Sequence, residues 1–351
     1  MRNHVVEEDL AAIISASLDW SVFAGKTVLI SGANGFLPAY MVETLLYLNE
    51  KQYYEPVKII GLVRSGERAR ERFSGYRERN DLHFITQDVS VRINIQESVD
   101  YIIHAASQAS PKYYGVDPVG TLSANILGTY NLLELAREKS SKGFLFFSSG
   151  EVYGEVCEKN IPTPETGYGY VDPLNVRSCY AESKRMAENM CVSWFHQYKV
   201  PTKIVRPFHT YGPGMRLDDG RVFADFVSNV VSGTNIEMHS DGSATRAFCY
   251  LTDATVGFFQ VLLNGENGEA YNVGNSNGEI SIRDLAYLLV SLFPETGIDV
   301  VMKNDTHEVG YLKSKITRNC PDINKIHNKL GWEPKINLQE GFKRTIQSYL
   351  T

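Results

Sequence analysis

Short runs rich in valine and isoleucine alternate with helical stretches along the first part of the chain. The apolar runs lie at residues 27–31, 57–63, 82–86, 101–104, 144–149 and 202–206, and the helical stretches lie at 36–49, 119–138 and 178–197. Continuous apolar strands separated by helices are typical of a parallel sheet covered on both faces. Right-handed crossovers make such a sheet doubly wound. The alternation therefore predicts an α/β fold built on a doubly wound parallel sheet.

Outside this alternation, the chain of 351 residues changes character twice. Residues 1–25 are predicted to form an N-terminal helical extension, because apolar side chains recur at helical spacing over 5–24. Residues 26–207 form the sheet domain. Beyond it the segments shorten and glycines become frequent, which indicates a smaller C-terminal α/β substrate lobe at 208–351, within which elements of the sheet domain can return.

Composition argues against several kinds of partner. The formal net charge of −6 gives no electrostatic reason to expect nucleic acid or an anionic membrane. No apolar run approaches the roughly 20 residues that span a bilayer. The five cysteines are scattered without CxxC spacing, so we expect reduced thiols, no metal site and a cytoplasmic location.

A glycine-rich turn follows the first apolar run and opens the first helix. The stretch reads Ser31-Gly32-Ala33-Asn34-Gly35-Phe36-Leu37-Pro38. Gly32 permits a tight turn, and Gly35 lets backbone N–H groups approach a pyrophosphate at the helix N-terminus. Pro38 stands where the third glycine of the usual fingerprint would fall, and proline is tolerated in a first helical turn. The pattern predicts a Rossmann-type dinucleotide site.

The residue after the second run bears on the choice of cofactor. An acidic side chain that grips the adenine ribose is expected near Val63, yet Arg64 follows it. We expect NAD, and NADP is the alternative because an arginine can bind a 2′-phosphate. Asp88, beside Val89 after the third run, is a candidate for the adenine edge.

Tyr180 and Lys184 are four residues apart, so on a helix both side chains lie on one face. An ordinary phenol is a poor base at neutral pH, and a nearby ammonium favours the phenolate. We therefore expect Lys184 to lower the pKa of Tyr180. Such a tyrosine can take a proton from a sugar hydroxyl while a nicotinamide takes the hydride.

At this point the chain resembles the extended short-chain dehydrogenase/reductase family (the NAD-dependent epimerase/dehydratase family) that acts on nucleotide sugars. The matching motifs run in order over nearly the whole chain after residue 25. They are the glycine-rich turn, His104-Ala105-Ala106-Ser107, Asn125, the stretch from Phe147 to Gly154, the Tyr180 motif, Arg206-Pro207-Phe208, Tyr211-Gly212-Pro213, Asp219-Gly220-Arg221-Val222 and Thr245-Arg246-Ala247-Phe248.

The resemblance implies roles for individual residues. Ser149 would hydrogen-bond the reacting hydroxyl, Tyr180 would be the base, and Lys184 would tune it and anchor the ribose. The implied cofactor contacts are Gly32, Asn34, Gly35, Phe36, Leu37, Arg64, Asp88, Val89, Ala105, Ala106, Ser107, Asn125, Tyr180, Lys184 and Pro207. The implied substrate contacts are Ser107, Ser149, Glu151, Arg177, His209, Arg221 and Arg246.

Within the family, the pattern resembles that of UDP-glucuronate decarboxylases, which share Glu151 and Arg177. The implied reaction oxidises C4 of the sugar, releases CO₂ and gives UDP-xylose. Two residues depart from the decarboxylase pattern: Gly150 replaces a serine and His209 replaces an asparagine.

Other activities stay open. A nucleotide-sugar 4-epimerase or 4-dehydrogenase needs only Ser149, Tyr180, Lys184 and the cofactor. A 4,6-dehydratase would need an acid at position 150, and a non-catalytic nucleotide-binding member would be a different class. The resemblance also implies a homodimer through a four-helix interface, to which Leu132, Leu133, Met186, Met190 and Trp194 are assigned.

Overall fold

The computed structural model describes residues 3–51, 53–303 and 316–350. Its helices are α1 (His4–Ile14), α2 (Phe36–Glu50), α3 (Gly66–Arg72), α4 (Pro118–Lys139), α5 (Cys179–Tyr198), α6 (Val222–Ser232), α7 (Leu251–Asn264), α8 (Ile282–Leu292), α9 (Asn324–Leu330) and α10 (Leu338–Leu350). Its strands are β1 (Thr27–Ser31), β2 (Lys58–Val63), β3 (Leu82–Thr86), β4 (Tyr101–His104), β5 (Gly143–Phe147), β6 (Thr202–Pro207), β7 (His209–Tyr211), β8 (Ile236–Met238), β9 (Thr245–Tyr250), β10 (Ala270–Val273), β11 (Glu279–Ser281), β12 (Val300–Met302) and β13 (Arg318–Asn319).

Seven parallel strands form the main sheet within the described residues, in the order β10-β6-β5-β4-β1-β2-β3. All five residues of β1 and of β5 are buried, because helices cover both faces. Helices α1, α2 and α7 contribute to the core on one face, and α4 and α5 to the core on the other. The predicted doubly wound parallel sheet is confirmed. The strand order reverses beside β1, which is where ligands bind in such sheets.

The seventh strand comes from beyond residue 207. Strand β10 pairs with β6, with Ala270 opposite Ile204. Helix α7, which precedes β10, packs Phe258 edge-on against Phe147 of β5 at 4.6 Å between ring centroids. The chain therefore returns to the main sheet before it builds the rest of the C-terminal lobe.

The remaining C-terminal elements build a smaller lobe with its own core. Strands β7, β9, β11 and β13 form a second sheet, and β8 pairs with β12. Side chains of α6, α8 and α10 pack together against this second sheet. No helix in the described ranges is both long enough and apolar enough to cross a bilayer. The lobe lies beyond the carboxyl end of β6, because β7 begins two residues after β6 ends.

The N-terminal helix is shorter than predicted, since α1 ends at Ile14 and a 3₁₀ turn follows at Trp20–Phe23. Asp19 caps that turn by accepting from the N–H of Ser21, a local bond that competes with helix. The buried carboxylate of Asp9 accepts from Tyr250 at 2.8 Å and from Arg344 at 2.8 Å. Through these bonds α1 is attached to the end of β9 and to the C-terminal helix α10.

A buried ion pair links strand β6 to helix α5. Arg206 is 1% exposed and donates to the two carboxylate oxygens of Glu188 at 2.8 and 2.6 Å. Ser148 donates to the same carboxylate at 2.5 Å, and Arg206 also donates to the hydroxyl of Tyr153 at 2.9 Å. Burial acts against the charge, yet the Glu188 carboxylate holds the pKa of Arg206 above its usual value. The carboxyl ends of β5 and β6 are thereby fixed against the middle of α5.

Replacing Arg206 with methionine leaves the Glu188 carboxylate buried without its partner, so we expect a loss of about 3–5 kcal/mol in the free energy of unfolding. The double variant Arg206→Met/Glu188→Met should recover part of that loss, because no charge is left buried. Arg92→Met is the matched control, since Arg92 is 82% exposed and pairs with Glu138 at the surface. Urea denaturation followed by tryptophan fluorescence measures all three. If Arg206→Met lost no more stability than the control, the structural role given to the Arg206–Glu188 pair would be contradicted.

Candidate active site

One cleft of about 1050 Å³ runs along the carboxyl edge of the main sheet and is closed on its other side by the C-terminal lobe. It is lined by all but one of the predicted site residues. Those that line it are Gly32, Asn34, Gly35, Phe36, Leu37, Arg64, Asp88, Val89, Ala105, Ala106, Ser107, Ser149, Glu151, Arg177, Tyr180, Lys184, Pro207, His209, Arg221 and Arg246.

Asn125 is the exception. It lies fully buried on α4, and its amide donates to the hydroxyl of Ser183 on α5 at 2.9 Å. The Ser183 hydroxyl in turn donates to the backbone carbonyl of Tyr180 at 3.0 Å. Asn125 therefore supports the first turn of α5 from behind rather than lining the cleft.

The glycine-rich turn has the conformation that a phosphate cradle needs. Gly32 has a φ of +68°, and a Cβ there would lie 2.8 Å from the Cα of Ala106. Gly35 is the N-cap of α2, where a Cβ would lie 3.0 Å from the carbonyl oxygen of Gly32. The ring of Pro38 packs against the same spot, with its Cγ 3.3 Å from that added Cβ, within a regular helix. Proline is accommodated because it occupies the first turn, where its missing N–H has no helical acceptor.

A buried hydrogen-bonded group holds the ends of β1 and β4 together beneath this turn. The hydroxyl oxygen of Ser31 accepts from the N–H groups of Ala105 and Ala106, both at 3.1 Å. The same hydroxyl lies 2.8 Å from Nδ1 of His104. Since its oxygen already accepts twice, the hydroxyl proton is directed to His104. Burial lowers the pKa of His104 well below its usual value, so this imidazole is neutral.

The residues present fit a bound dinucleotide. The hydroxyl of Ser107 is buried in the cleft lining and has no hydrogen-bond partner among the described residues, as expected of a group that binds a ligand. Arg64 is exposed and also lines the cleft. Asp88 there accepts from the N–H and hydroxyl of Ser90 at 2.8 and 2.7 Å. Although burial acts against it, these bonds hold the pKa of Asp88 below its usual value.

Tyr180 is buried in the cleft lining, and its environment differs from our expectation. Burial raises the pKa of Tyr180 to about 12, and a hydrogen bond with Ser149 acts in the opposite direction. The phenol ring stacks on Tyr114, with 5.0 Å between ring centroids and 14° between the planes. Sequence reasoning missed Tyr114. Its place in the loop after β4, at the carboxyl edge of the sheet, is the signal that could have identified it.

The surroundings of Lys184 explain why the pKa of Tyr180 is not lowered as expected. Its Nζ donates to the carbonyl oxygen of Phe147 at 2.7 Å and lies 5.7 Å from the centroid of the Tyr180 ring. Burial lowers the pKa of Lys184 to about 7, against the attraction of the Glu188 carboxylate one helical turn further on. At neutral pH this amine is therefore only partly charged, and it does not by itself offset the burial of the phenol.

Glu151 and Gly150 complete the wall beside Ser149. Arg177 approaches the carboxylate of Glu151 at 3.3 Å between Nη1 and Oε2. A Cβ on Gly150 would lie 3.2 Å from the ring of Phe208, so that ring fills the place of a larger side chain. The glycine that replaces the serine of the decarboxylase pattern is thus closely packed against Phe208.

Two arginines bring positive charge to the lobe side of the cleft. Arg221 precedes α6 and forms an ion pair with Asp219. Arg246 on β9 donates to the backbone carbonyls of Thr245 at 2.7 Å and Ile316 at 2.9 Å. His209 on β7 lies close enough to both for their guanidinium charges to act on its imidazole. The arrangement suits an anionic ligand.

Known proteins resemble this chain in both sequence and fold. The sequence profile described as the NAD dependent epimerase/dehydratase family matches residues 28–274. UDP-glucuronic acid decarboxylase 3 of Arabidopsis thaliana is 35% identical over 314 residues, which are 90% of this chain and 86% of that protein.

Solved structures agree on the fold. The UDP-glucose 4-epimerase of Thermotoga maritima, solved with UDP-glucose, has a TM-score of 0.77 at 24% identity, over 92% of this chain and 98% of that one. The dTDP-glucose 4,6-dehydratase of Bacillus anthracis, solved with NAD, has a TM-score of 0.73 at 22% identity, over 92% and 96%. The resemblance inferred from the motifs is confirmed, and the chain belongs to the NAD-dependent epimerase/dehydratase family.

Proposed function

We propose that this chain is a UDP-glucuronate decarboxylase that uses NAD and forms UDP-xylose. The observation that carries the proposal is the convergence of Ser149, Tyr180 and Lys184 in one cleft whose lining also includes Arg177, Arg221 and Arg246. Relatives that bear the decarboxylase name, at 31–35% identity over 90% or more of this chain, support the choice of substrate. The free thiols of all five cysteines agree with a cytoplasmic location, which is part of the proposal.

The side chains of the cleft would divide the chemistry among them. When bound, NAD supplies an acceptor for the C4 hydride, returns it later, and adds positive charge to the site. Tyr180 would take the proton of the C4 hydroxyl, while Ser149 hydrogen-bonds the same group. The ketone at C4 places the carboxylate in the β position, so CO₂ leaves and its bonding electrons remain as an enolate. A proton would then add at C5, where Glu151 could position the sugar or relay that proton. As the hydride returns to C4, Tyr180 would give its proton back to the C4 oxygen.

A C4 epimerase or 4-dehydrogenase is the second candidate. It is favoured by Gly150 and His209, where the decarboxylase pattern is interrupted, while the three residues needed for C4 oxidation are intact. A 4,6-dehydratase ranks lower, because that reaction needs an acid at position 150 and Gly150 has no side chain that could donate a proton. A purely nucleotide-binding role ranks last, since it has no use for a buried tyrosine and lysine in the cleft.

Turnover of a nucleotide-sugar panel tests the proposal. UDP-glucuronate, UDP-glucose and their CDP, GDP and dTDP counterparts are incubated with the protein, and products are identified by mass spectrometry. We expect CO₂ and a UDP-pentose from UDP-glucuronate, and Tyr180→Phe should lower the rate by about 10²–10⁴-fold. Tyr198→Phe, on the same helix but 40% exposed, is the control. Conversion of another sugar without CO₂ would favour the second candidate.

Arg64 makes a separate prediction about the cofactor. We expect NADH to bind, and NADPH to bind as well because Arg64 can pair with the 2′-phosphate. Arg64→Ala should then weaken NADPH binding by about 10-fold or more, as for a lost charge-assisted bond, and leave NADH unchanged. Fluorescence titration measures both. Arg70→Ala, an exposed arginine on α3 that does not line the cleft, is the control. Equal NADPH affinity in wild type and Arg64→Ala would contradict this role.

The paired helices α4 and α5 carry the proposed dimer interface, although not all of the expected residues are available to it. Leu132, Leu133 and Met190 belong to the core, whereas Met186 is 50% exposed. Leu127 on α4 is also 50% exposed. Leu127 and Met186 would bury apolar surface if the same two helices of a second chain packed against them.

Light scattering should show a dimer at micromolar concentration. The double variant Leu127→Glu/Met186→Glu places charge on the proposed interface, and we expect it to be monomeric. Met302→Glu, at a 59% exposed position on β12, is the control and should stay dimeric. A monomeric wild type, or a double variant that still dimerises, would contradict the interface.

A further inference from the structure

His209 has an unusual position in the wall of the cleft. It opens β7, where it stands opposite Phe248 of β9, and its ring lies 5.7 Å from that of Phe248 and 6.4 Å from that of Phe223. Its Nε2 is buried and has no hydrogen-bond partner among the described residues. A buried imidazole nitrogen without a partner costs free energy, so this histidine is not a satisfied core residue. It is a group held ready for a ligand.

The charges around His209 are mostly positive. The charge of Arg246 acts on it from β9 and that of Arg221 from the segment before α6, and Arg221 is paired with Asp219. The acidic groups of the other elements packed on β7 act elsewhere: Asp253 of α7 and Glu340 of α10 affect the phenol of Tyr211. Burial first, and the two guanidinium groups second, lower the pKa of His209 well below its usual value.

The start of helix α6 adds a further preference for anions. The helix begins at Val222 beside the cleft, and no side chain caps its N-terminus. Its first N–H groups and its dipole favour a negative charge there. Helix, arginines and histidine thus converge on one part of the cleft.

We propose that His209 is a ligand of the substrate diphosphate and that it takes up a proton when the diphosphate binds. The inference rests on the proposed function, since it assumes a nucleotide-sugar ligand. Before binding, the neutral ring has one N–H to donate. The negative charges of a diphosphate between the two arginines offset their repulsion, so the imidazolium becomes favourable and can donate from both nitrogens. An asparagine at this position would bind without titrating. Substrate affinity in this chain should therefore rise as the pH falls.

Calorimetry with UDP-glucose tests this directly, because its diphosphate does not titrate between about pH 5 and 8, where histidine does. Titration in two buffers of different ionisation enthalpy gives the number of protons taken up. Near neutral pH we expect an uptake in wild type that approaches about one proton per site, and the affinity should rise as the pH is lowered. In His209→Asn the uptake should be smaller by the share that the histidine contributes, up to about one proton per site. Lys184 also titrates in this range, but its contribution is common to wild type and variant.

Controls separate this inference from the proposed function. His83→Asn, at an exposed histidine on β3, should leave the uptake unchanged. His209→Gln serves as a second variant if His209→Asn loses its folded melting transition. Equal proton uptake by wild type and the His209 variants would overturn the role of His209 and leave the proposed function standing. Failure of both UDP-glucose and UDP-glucuronate to bind to wild type would overturn both.

Discussion

The buried pair of Arg206 and Glu188 is the interaction on which the site depends. It joins the end of β6 to the middle of α5, and the Ser148 hydroxyl connects the end of β5 to the same carboxylate. The residues that this pair holds in place are close in sequence to two of the functional residues. Ser149 follows Ser148, and Lys184 precedes Glu188 by one helical turn. Because the pair is buried and fully hydrogen-bonded, these elements cannot slide independently, and the reacting groups keep their relative positions.

Burial also sets the protonation of the groups in the cleft. The same dry surroundings raise the pKa of Tyr180 to about 12 and lower that of Lys184 to about 7, so each group favours its neutral form. At neutral pH the phenol is protonated and the amine only partly charged, so the two are not yet a base and its activator. Positive charge brought by an oxidised cofactor would shift the phenol toward the phenolate, so proton removal would be coupled to cofactor binding. This coupling arises because Tyr180 and Lys184 are both buried in a region of low dielectric, and not because they contact each other.

The sequence was sufficient to predict the parts of the structure that local patterns determine. The apolar runs located most strands of the main sheet, and the glycines at positions 32 and 35 located the cradle because their backbone geometry is intolerant of a Cβ. What it did not reveal depends on contacts between distant segments. The identity of the strand that returns to the sheet, the stacking of Tyr114 on Tyr180 and the burial of Asn125 behind α5 are tertiary events. The expected effect of Lys184 on Tyr180 was wrong because helical spacing gives direction but not burial.

The central claim is that NAD transiently oxidises C4 of the sugar while Tyr180 acts as the base. Its most direct test is turnover of UDP-glucuronate deuterated at C4, with the position of the deuterium in the product read by NMR. The account predicts a primary isotope effect on the rate and retention of deuterium at C4, because the hydride leaves and returns without exchange with water. A product formed with no isotope effect, or with protium at C4, would contradict it.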